Sequence, residues 1–350
     1  MVVKFQVFKK SSPNSKVTIY LTKREYVDHS SHVDKVEGVV LFDPNFVQDR
    51  NVYVQMGLIF RFGREDEESM GYNFVKTLYL DTTQLYPPLK EVKTSEIQRN
   101  LINRLGNFAF AFNLEFPKLA SPSYTMMRGY EDEGPLINME YEVMGFVGVN
   151  EQDMDKWSVA NLTVRRLMEC PARFFDRPAP DGSITKTFLT CSGTVTIQAS
   201  LNSSVYFPDE EINVKVCLKN HASREVKRLK VKVVQLSEVP MFSTNQVRDK
   251  TLMKADDLIG LAPGACTNRE FVMVARVPAR TATGKIFLQG KLRKDAEDQL
   301  APSTVTHPTV SKDDIFGIYV QYAVRVKAAL GPLFGDAVLD IPFTLAARPE

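Results

Sequence analysis

Hydrophobic and polar residues alternate with a period of two in many short stretches of this chain. In residues 212–218, which read Ile-Asn-Val-Lys-Val-Cys-Leu, every second side chain is aliphatic. Because successive side chains of a strand point to opposite faces, this pattern predicts a half-buried strand. The same alternation occurs in residues 17–21, 53–62, 195–201, 229–234 and 318–327. Turn-forming Pro, Gly, Asn or Asp residues separate these stretches, so the chain is predicted to be all-β, with many short antiparallel strands.

One segment departs from this period. Its apolar residues recur at helical spacing, and they are Ile97, Leu101, Ile102 and Leu105. Ser95 and Gln98 have the spacing of a capping box, and Gly106 supplies a stop signal. We therefore predict one short amphipathic helix over about residues 95–105.

Residues 171–183 are rich in proline, small residues and charge, and they show no periodicity. This composition is typical of a linker between domains. It divides the chain into an N-terminal domain of residues 1–170, which contains the helix, and a C-terminal domain of residues 184–350. Each part has the size and the strand pattern of a β-sandwich.

Composition excludes several classes of protein. The 350 residues contain 44 Lys and Arg against 42 Asp and Glu, a formal net charge of +2, so no broad positive field favours a nucleic-acid partner. No apolar run approaches the roughly 18–20 residues that cross a bilayer, and residues 1–6 reach a lysine without a signal-peptide core. We therefore expect a cytoplasmic protein.

Catalytic motifs are missing from the sequence, which has no Gly-x-Ser-x-Gly elbow, no glycine-rich phosphate loop and no His-Glu-x-x-His. Asp28 and His29 are adjacent and on a strand would point to opposite faces, so we interpret both as surface residues. The four cysteines include no C-x-x-C pair and no histidine at ligand spacing. We predict a protein that is not an enzyme, and we expect no metal and no cofactor.

Basic residues are more informative in the first half of the chain. Lys9 and Lys10 precede the strand predicted over residues 17–21, and Lys23 and Arg24 follow it. Four cations that bracket one short hairpin are suited to bind an anion. The alternative is that they are solvated residues of turns, which is the usual role of such charges.

A second basic group occurs in the other half. Lys230 and Lys232 are two residues apart, as are Arg325 and Lys327, so each pair lies on one face of its strand. If the two strands are neighbours, these cations form a patch that attracts phosphate.

Several segments resemble the arrestin family. They are VFKKSSPNSKVTIYLTKREYVDH, VEGVVLFDP, FRFGREDEESMGYNF, IQRNLINRLG, SVANLTVRR, EVKRLKVKVVQ, GKLRKDAED, YAVRVK and IPFTL, in this order. The resemblance covers nearly the whole chain, and the opening MVVKFQVFKK is closer to invertebrate visual arrestins. It implies two seven-stranded β-sandwich domains. It also implies a protein without catalysis that binds activated, phosphorylated seven-helix receptors, including rhodopsin, blocks G-protein coupling and assists receptor internalisation.

The resemblance assigns residues to two receptor contacts. Receptor phosphates would be bound by Lys9, Lys10, Arg24 and Arg104. The finger loop, which enters the receptor's cytoplasmic cavity, would contain Arg64, Glu65, Asp66, Met70, Gly71 and Tyr72.

The family's switch is a buried cluster of opposite charges between the domains. Arg165 matches its central arginine, and only the resemblance places this side chain in the interior, because an arginine in such a strand is ordinarily solvated. Glu25 stands where the family has aspartate, and Gln289 replaces another aspartate. The partners of Arg165 therefore stay open, and the candidates besides Glu25 are Asp295, Glu297 and Asp298.

Two surface sites of the second half also follow from the resemblance. An inositol phosphate or phosphoinositide would be bound by Lys230, Arg248, Arg325 and Lys327. An apolar edge that contacts the membrane surface on recruitment would contain Phe188, Leu189, Leu333 and Phe334. The alternative for this edge is that its side chains pack onto their own sandwich. Recruitment would bring the protein to the plasma membrane or to a photoreceptor membrane.

Other expectations concern partners and rival functions. The printed chain has no acidic-hydrophobic clathrin box, so direct clathrin binding is not expected. Self-association is expected through an apolar groove formed by Val7, Phe8, Leu101 and Leu105. A trafficking adaptor of the wider arrestin-fold group is the alternative function, although the proline-rich motifs that bind ubiquitin ligases are absent. A small-molecule enzyme is the other rival, and the missing catalytic motifs disfavour it.

Overall fold

The computed structural model describes residues 7–29, 31–62, 74–127, 135–188, 192–241, 244–276, 282–289, 299–306, 311, 314–331 and 335–347. Within these ranges strands and turns dominate, which confirms the all-β prediction. No helix in these ranges is long and apolar enough to span a membrane.

Ten strands belong to the described part of the first half. They are β1 (Phe8–Ser11), β2 (Val17–Leu21), β3 (Glu25–Asp28), β4 (Val36–Phe42), β5 (Asn51–Phe62), β6 (Phe74–Tyr86), β7 (Ala109–Leu114), β8 (Tyr124–Met127), β9 (Pro135–Gly148) and β10 (Ala160–Met168). The helices among them are α1 (Pro44–Val47), a single turn, and α2 (Glu96–Leu105).

The second half begins with a short 3₁₀ helix, Ala172–Phe174, in the segment predicted as linker. Its strands are β11 (Asp181–Thr187), β12 (Thr194–Leu201), β13 (Val205–Tyr206), β14 (Glu211–Asn220), β15 (Val226–Met241), β16 (Thr244–Leu261), β17 (Cys266–Val274), β18 (Ile286–Leu288), β19 (Tyr319–Ala329) and β20 (Asp336–Leu345). The alternation in residues 212–218 is the buried and exposed pattern of β14.

Two sheets of the first half pack against each other. One has the strand order β1-β2-β4-β7, and the other contains β5, β6, β8, β9 and β10 and ends in β3. Strand β2 packs on β9 and β10 across the sandwich. Val17, Ile19 and Leu21 of β2 are fully buried in this interface, whereas the residues between them are partly exposed. The core therefore follows the period-two pattern of the sequence.

Helix α2 has the predicted ends and lies against β4 and β7. The Ser95 hydroxyl accepts from the backbone N–H of Gln98, and the Gln98 side chain accepts from the backbone N–H of Ser95. Gln98 is also fully buried, and its amide Nε2 donates to the carbonyls of Gly38 and Phe112 at 3.0 and 2.9 Å. The capping residue thus also attaches the helix to the sheet.

The second half also forms two sheets, with the strand orders β11-β12-β14-β17 and β13-β20-β19-β15-β16. Strands β11 and β12 pack on β20, so these sheets form the second sandwich. The segment predicted as linker packs closely: Phe174 is buried, and the Arg177 guanidinium lies 3.6 Å from the centroid of its ring. Strand β11 begins at Asp181, inside that segment.

The two halves share a sheet. Strand β18, from the second half, pairs antiparallel with β8, with Ile286 opposite Met126. Phe316 exchanges backbone hydrogen bonds with Leu119 and Ser121 of the first half, both at 3.1 Å. Residues 286–288 therefore complete the first sandwich, which their position inside the predicted C-terminal domain did not indicate.

Replacing Gly38 with alanine tests the close packing of the first sandwich. A Cβ at Gly38 would lie 2.3 Å from Cζ of Phe112 and 2.5 Å from the backbone oxygen of Tyr20. Because the backbone cannot move away cheaply, we expect Gly38→Ala to lower the free energy of unfolding by about 1–3 kcal/mol.

Urea unfolding measures this loss, and Gly57→Ala is the matched control. Gly57 is also a buried strand glycine, but its nearest contact to an added Cβ is an ordinary 3.6 Å. Equal stabilities of the two variants would contradict the close approach at Gly38.

Candidate functional site

Strand β3 is short, lies at the end of its sheet, and pairs in parallel with β10. The register places Arg165 beside Glu25 and Met168 beside Asp28. We call this pairing of residues 25–28 with residues 165–168 the β3–β10 junction. Just before it, the Arg24 guanidinium donates through Nε and Nη2 to the Thr163 carbonyl at 2.9 and 2.8 Å. Arg24 therefore holds the start of β3 against β10.

A buried ion pair lies inside the β3–β10 junction. Nη1 of Arg165 is 2.6 Å from Oε1 of Glu25, and the two side chains are only 10% and 18% exposed. The Nε of Arg165 is also buried, yet it has no hydrogen-bond partner among the residues that the structure describes. A buried donor without an acceptor costs about 1–3 kcal/mol. Arg165 is thus paired but incompletely satisfied.

The neighbouring residue, Arg166, is buried more deeply and has more partners, although its Nε, like that of Arg165, has no hydrogen-bond partner among the described residues. Its Nη2 is 2.6 Å from Oδ2 of Asp28, and its Nη1 donates to the Pro117 carbonyl at 2.8 Å and to the Tyr141 hydroxyl at 3.4 Å. Burial acts to lower the pKa of Arg166, but Tyr141 and Asp28 act to raise it, and the net direction is up. This guanidinium therefore remains charged in the interior.

The interpretation of Asp28 as a solvated surface residue is wrong, because its carboxylate is the acid partner of Arg166. A sequence signal for this pair did exist. Arg166 is two residues from Val164 and from Met168, and both of these apolar side chains are buried. Period-two alternation therefore places Arg166 on the inner face of β10, where an arginine requires an acid.

A cavity of about 430 Å³ lies next to the junction. The first half contributes Asp28, His32 and Arg166 to its wall, and the second half contributes Thr304 and Thr306. The junction therefore lies where the two halves meet. On the side of the second half, Oε1 of Gln289 is buried and has no hydrogen-bond partner within the described ranges. The acids Asp295, Glu297 and Asp298 lie outside the described residues.

The four residues expected to bind phosphate have different environments. Lys9 and Lys10 are exposed on β1, which is an edge strand, and Arg104 is exposed in the last turn of α2. Arg24 is partly buried and already uses two of its three nitrogens on Thr163. Strand β1 packs on β10, so Lys9 and Lys10 belong to a strand next to the one that carries Arg165.

The expected finger loop, residues 64–72, lies outside the described residues. Its stem is described: β5 and β6 form an antiparallel hairpin that pairs as far as Phe62 and Phe74.

The structure brings together part of the basic group predicted in the second half. Strands β15 and β19 are neighbours, and Lys230 lies opposite Lys327 while Lys232 lies opposite Arg325. Three of the four residues expected to bind inositol phosphate therefore share the outer face of this sheet. Each has an acidic neighbour, because Lys230 is 3.7 Å from Asp256, Lys327 contacts Asp336, and Arg325 contacts Asp249 and Asp340 at 2.5 and 2.8 Å.

Arg248 does not join this group, so the prediction that four cations surround one polyanion is wrong. Asp249 contacts Arg325 on the outer face, and Arg248, its neighbour in β16, points to the inner face. Arg248 is opposite the buried Ser237, and its Nη1 lies 3.1 Å from Sδ of Met126. Hydrogen bonds to Asp340 and Asp249 raise the pKa of Arg325, so this guanidinium stays charged. The two carboxylates balance its charge locally.

The expected membrane edge is not exposed at Phe188. This ring is only 5% exposed and belongs to the hydrophobic core, so the alternative of packing onto its own sandwich is correct for Phe188. Leu189, Leu333 and Phe334 lie outside the described residues. The groove expected for self-association is likewise half-buried at each of its residues, which are Val7, Phe8, Leu101 and Leu105.

Comparisons with known proteins cover both halves of the chain. The sequence model for the N-terminal domain of arrestin (or S-antigen) matches residues 17–170, and the model for the C-terminal domain matches residues 191–350. An arrestin homolog of Heliothis virescens is 34% identical over 100% of this chain and 92% of its own length. The lateral eye arrestin of Limulus polyphemus is 32% identical over 100% and 86%. Phosrestin-1 of Drosophila melanogaster is 31% identical over 99% and 86%.

Removing Arg166 tests whether its buried ion pair supports the fold. Arg166→Met leaves the Asp28 carboxylate without its cation, and breaking a buried pair in this way costs about 3–5 kcal/mol of unfolding free energy. Arg269→Met is the control, because the Arg269–Asp257 bridge is a surface pair at 3.1 Å and is worth at most about 1 kcal/mol. Urea unfolding compares the variants, and equal losses would contradict the structural role of Arg166.

Proposed function

Because this chain belongs to the arrestin family, we propose that it binds activated, phosphorylated G-protein-coupled receptors, blocks their coupling to G proteins and so terminates signalling. Proteins of this family are adaptors without enzymatic activity. The observation that carries the proposal is the buried Arg165–Glu25 pair in the β3–β10 junction. A second anion that reached Arg165 would compete with Glu25 for its guanidinium.

The first step of the proposed mechanism is capture of receptor phosphates by Lys9 and Lys10. Both lysines are exposed on an edge strand, so an extended phosphorylated segment can approach them. Strand β1 packs on β10, and packed sheets are about 10 Å apart. Phosphates held on β1 would therefore act on Arg165 over a short, poorly screened distance.

The second step is competition for Arg165. A phosphorylated side chain carries about −1.5 to −2 charges at pH 7, more than the single charge of Glu25. The buried Nε of Arg165 has no acceptor in the described part of the chain, so an incoming phosphate oxygen could bind there without displacing one of those residues. Loss of the Arg165–Glu25 pair would then weaken the pairing of β3 with β10 and release the basal arrangement.

Activation of the receptor would be sensed separately, by the loop between β5 and β6. We place Arg64, Glu65, Asp66, Met70, Gly71 and Tyr72 in the segment that enters the receptor's cytoplasmic cavity. The support is their match to the family's finger loop and their place in the sequence between β5 and β6, which pair with each other in antiparallel.

A phosphoinositide head group is the proposed membrane ligand of the second half, and it would contact Lys230, Arg325 and Lys327. These cations share one outer face, but their aspartate partners must be displaced, so only a ligand with several phosphates would compete. In this proposal the protein works in the cytoplasm and is recruited to a photoreceptor or plasma membrane. The lateral eye relative makes rhodopsin the receptor to test first.

Binding to rhodopsin in three states tests the proposed function. We expect the full chain to bind light-activated, phosphorylated rhodopsin more tightly than the unphosphorylated active form, and the dark form least. The double variant Lys9→Ala/Lys10→Ala should lose at least about tenfold in affinity for the phosphorylated form. Hydrogen bonds to charged groups are worth about 1.5–3 kcal/mol each, and tenfold corresponds to about 1.4 kcal/mol.

The control variant is Lys215→Ala/Lys219→Ala, which removes the same charge from exposed positions of β14. It should bind as the parent does, and the loss at Lys9 and Lys10 should be larger at low salt because salt screens exposed charges. Equal binding of the two double variants would refute the phosphate site. Equal binding of all three rhodopsin states would refute the proposed function itself.

A further inference from the structure

The connection between β3 and β4 folds back tightly. The backbone N–H of His29 donates to the His32 carbonyl at 2.9 Å, and that of Asp34 donates to the Val27 carbonyl at 3.0 Å. These bonds gather two imidazoles and a carboxylate at one point of the surface. One ligand atom from each of His29, His32 and Asp34 lies within 4.8 Å of the others.

Ligand atoms of His29 and Asp34 already lie close together. Nε2 of His29 is 3.6 Å from Oδ1 of Asp34. The rings of His29 and His32 are stacked, with centroids 4.7 Å apart and an angle of 23° between their planes. Because an imidazole lone pair lies in the plane of its ring, the two stacked rings must rotate apart before both can bind one ion beside the Asp34 carboxylate.

The second polar atom of each side chain is held by another group. Nδ1 of His29 contacts the Glu169 carboxylate, which only accepts hydrogen bonds, so a neutral imidazole that donates from Nδ1 would leave Nε2 available as a ligand. Nδ1 of His32 lies 3.1 Å from the Ser31 hydroxyl. Oδ2 of Asp34 accepts from Lys23 and from the backbone N–H of Val27, at 2.5 and 3.0 Å.

This arrangement resembles the outer shell of protein metal sites, in which a carboxylate or hydroxyl orients each ligand. We propose that His29, His32 and Asp34 bind one divalent transition-metal ion, with zinc as the expected ion, and that Glu169 orients His29. Two imidazoles and one carboxylate suit zinc, and a water molecule would complete a tetrahedral set.

The distances between the donor atoms and the charges around them are compatible with a bound dication. Metal–ligand bonds of about 2.0–2.1 Å place tetrahedral donors about 3.4 Å apart, so donor atoms that now lie within 4.8 Å of one another must approach by at most about 1.4 Å. His32 is exposed and His29 is partly exposed, so both rings can rotate. The charged groups around the site are Asp34, Glu169 and Lys23, and together with neutral imidazoles they give a net charge of −1, which favours a dication.

A bound ion would brace the far end of the β3–β10 junction. His29 follows β3 directly, and Glu169 follows β10, where its backbone N–H donates to the Asp28 carbonyl at 3.0 Å. The ion would thus link the β3–β4 connection to the end of β10. This inference does not depend on receptor binding, and it replaces the expectation from sequence that no metal is bound.

Zinc titration of the untagged full chain tests the site by calorimetry, and cobalt(II) absorption reports the ligand geometry. We expect one equivalent of zinc to bind, with a tetrahedral cobalt spectrum. Glu169→Gln should weaken zinc binding about 10–100-fold, the usual effect of losing an outer-shell partner. His32→Ala should weaken it further. His221→Ala, which removes an exposed histidine of the second half, should bind as the parent does.

Circular dichroism of the zinc-free variants provides the check on folding, and the exposed His32 should be replaceable without loss of structure. Failure of the parent chain to bind one equivalent of zinc would overturn the proposal. Zinc affinity that is unchanged in His32→Ala, or that falls equally in His221→Ala, would place the ion elsewhere and would also overturn it.

Discussion

Two adjacent arginines of β10, Arg165 and Arg166, are buried, and each must pair with an acid. The architecture around them follows from this need. An unpaired buried charge is too costly to persist. Glu25 and Asp28 supply the two acids, both from β3, so this short strand must lie parallel to β10 in the observed register. That register in turn directs the chain before β3 towards Thr163 and the chain after it into the tight connection that leads to β4.

The two ion pairs are unequal, and this difference suits a protein that must both hold its shape and change it. Arg166 has an acid, a carbonyl and a hydroxyl as partners, and it is almost fully buried. Arg165 has one acid, Glu25, among the described residues, and the Nε of both arginines lacks an acceptor there, so the two differ in the number of their other partners. Removing the first pair therefore threatens the fold, whereas a competing anion can exchange into the second. In the proposed function, Arg166 keeps β3 attached while Arg165 responds to receptor phosphates.

Local pattern predicted much of the fold but little of the pairing between distant residues. The strands follow from period-two alternation, and the capping box at Ser95 and Gln98 predicts α2 because these signals depend on neighbours in sequence. The parallel partner of β10, and the addition of β18 to the first sheet, depend on contacts across more than a hundred residues. For the same reason the sequence interpretation placed Arg248 on the wrong face and left open whether Phe188 contacts the membrane or packs onto its own sandwich.

Exchange of the charges in the Arg165–Glu25 pair tests this account most directly. The measurement is binding to active, unphosphorylated receptor by Arg165→Glu, by Glu25→Arg and by the double variant, each checked for cooperative unfolding. The account predicts that each single variant binds this receptor at least about tenfold more tightly than the parent, because two like charges replace the pair. The double variant should restore dependence on phosphorylation. Folded single variants that still require receptor phosphates would contradict the account.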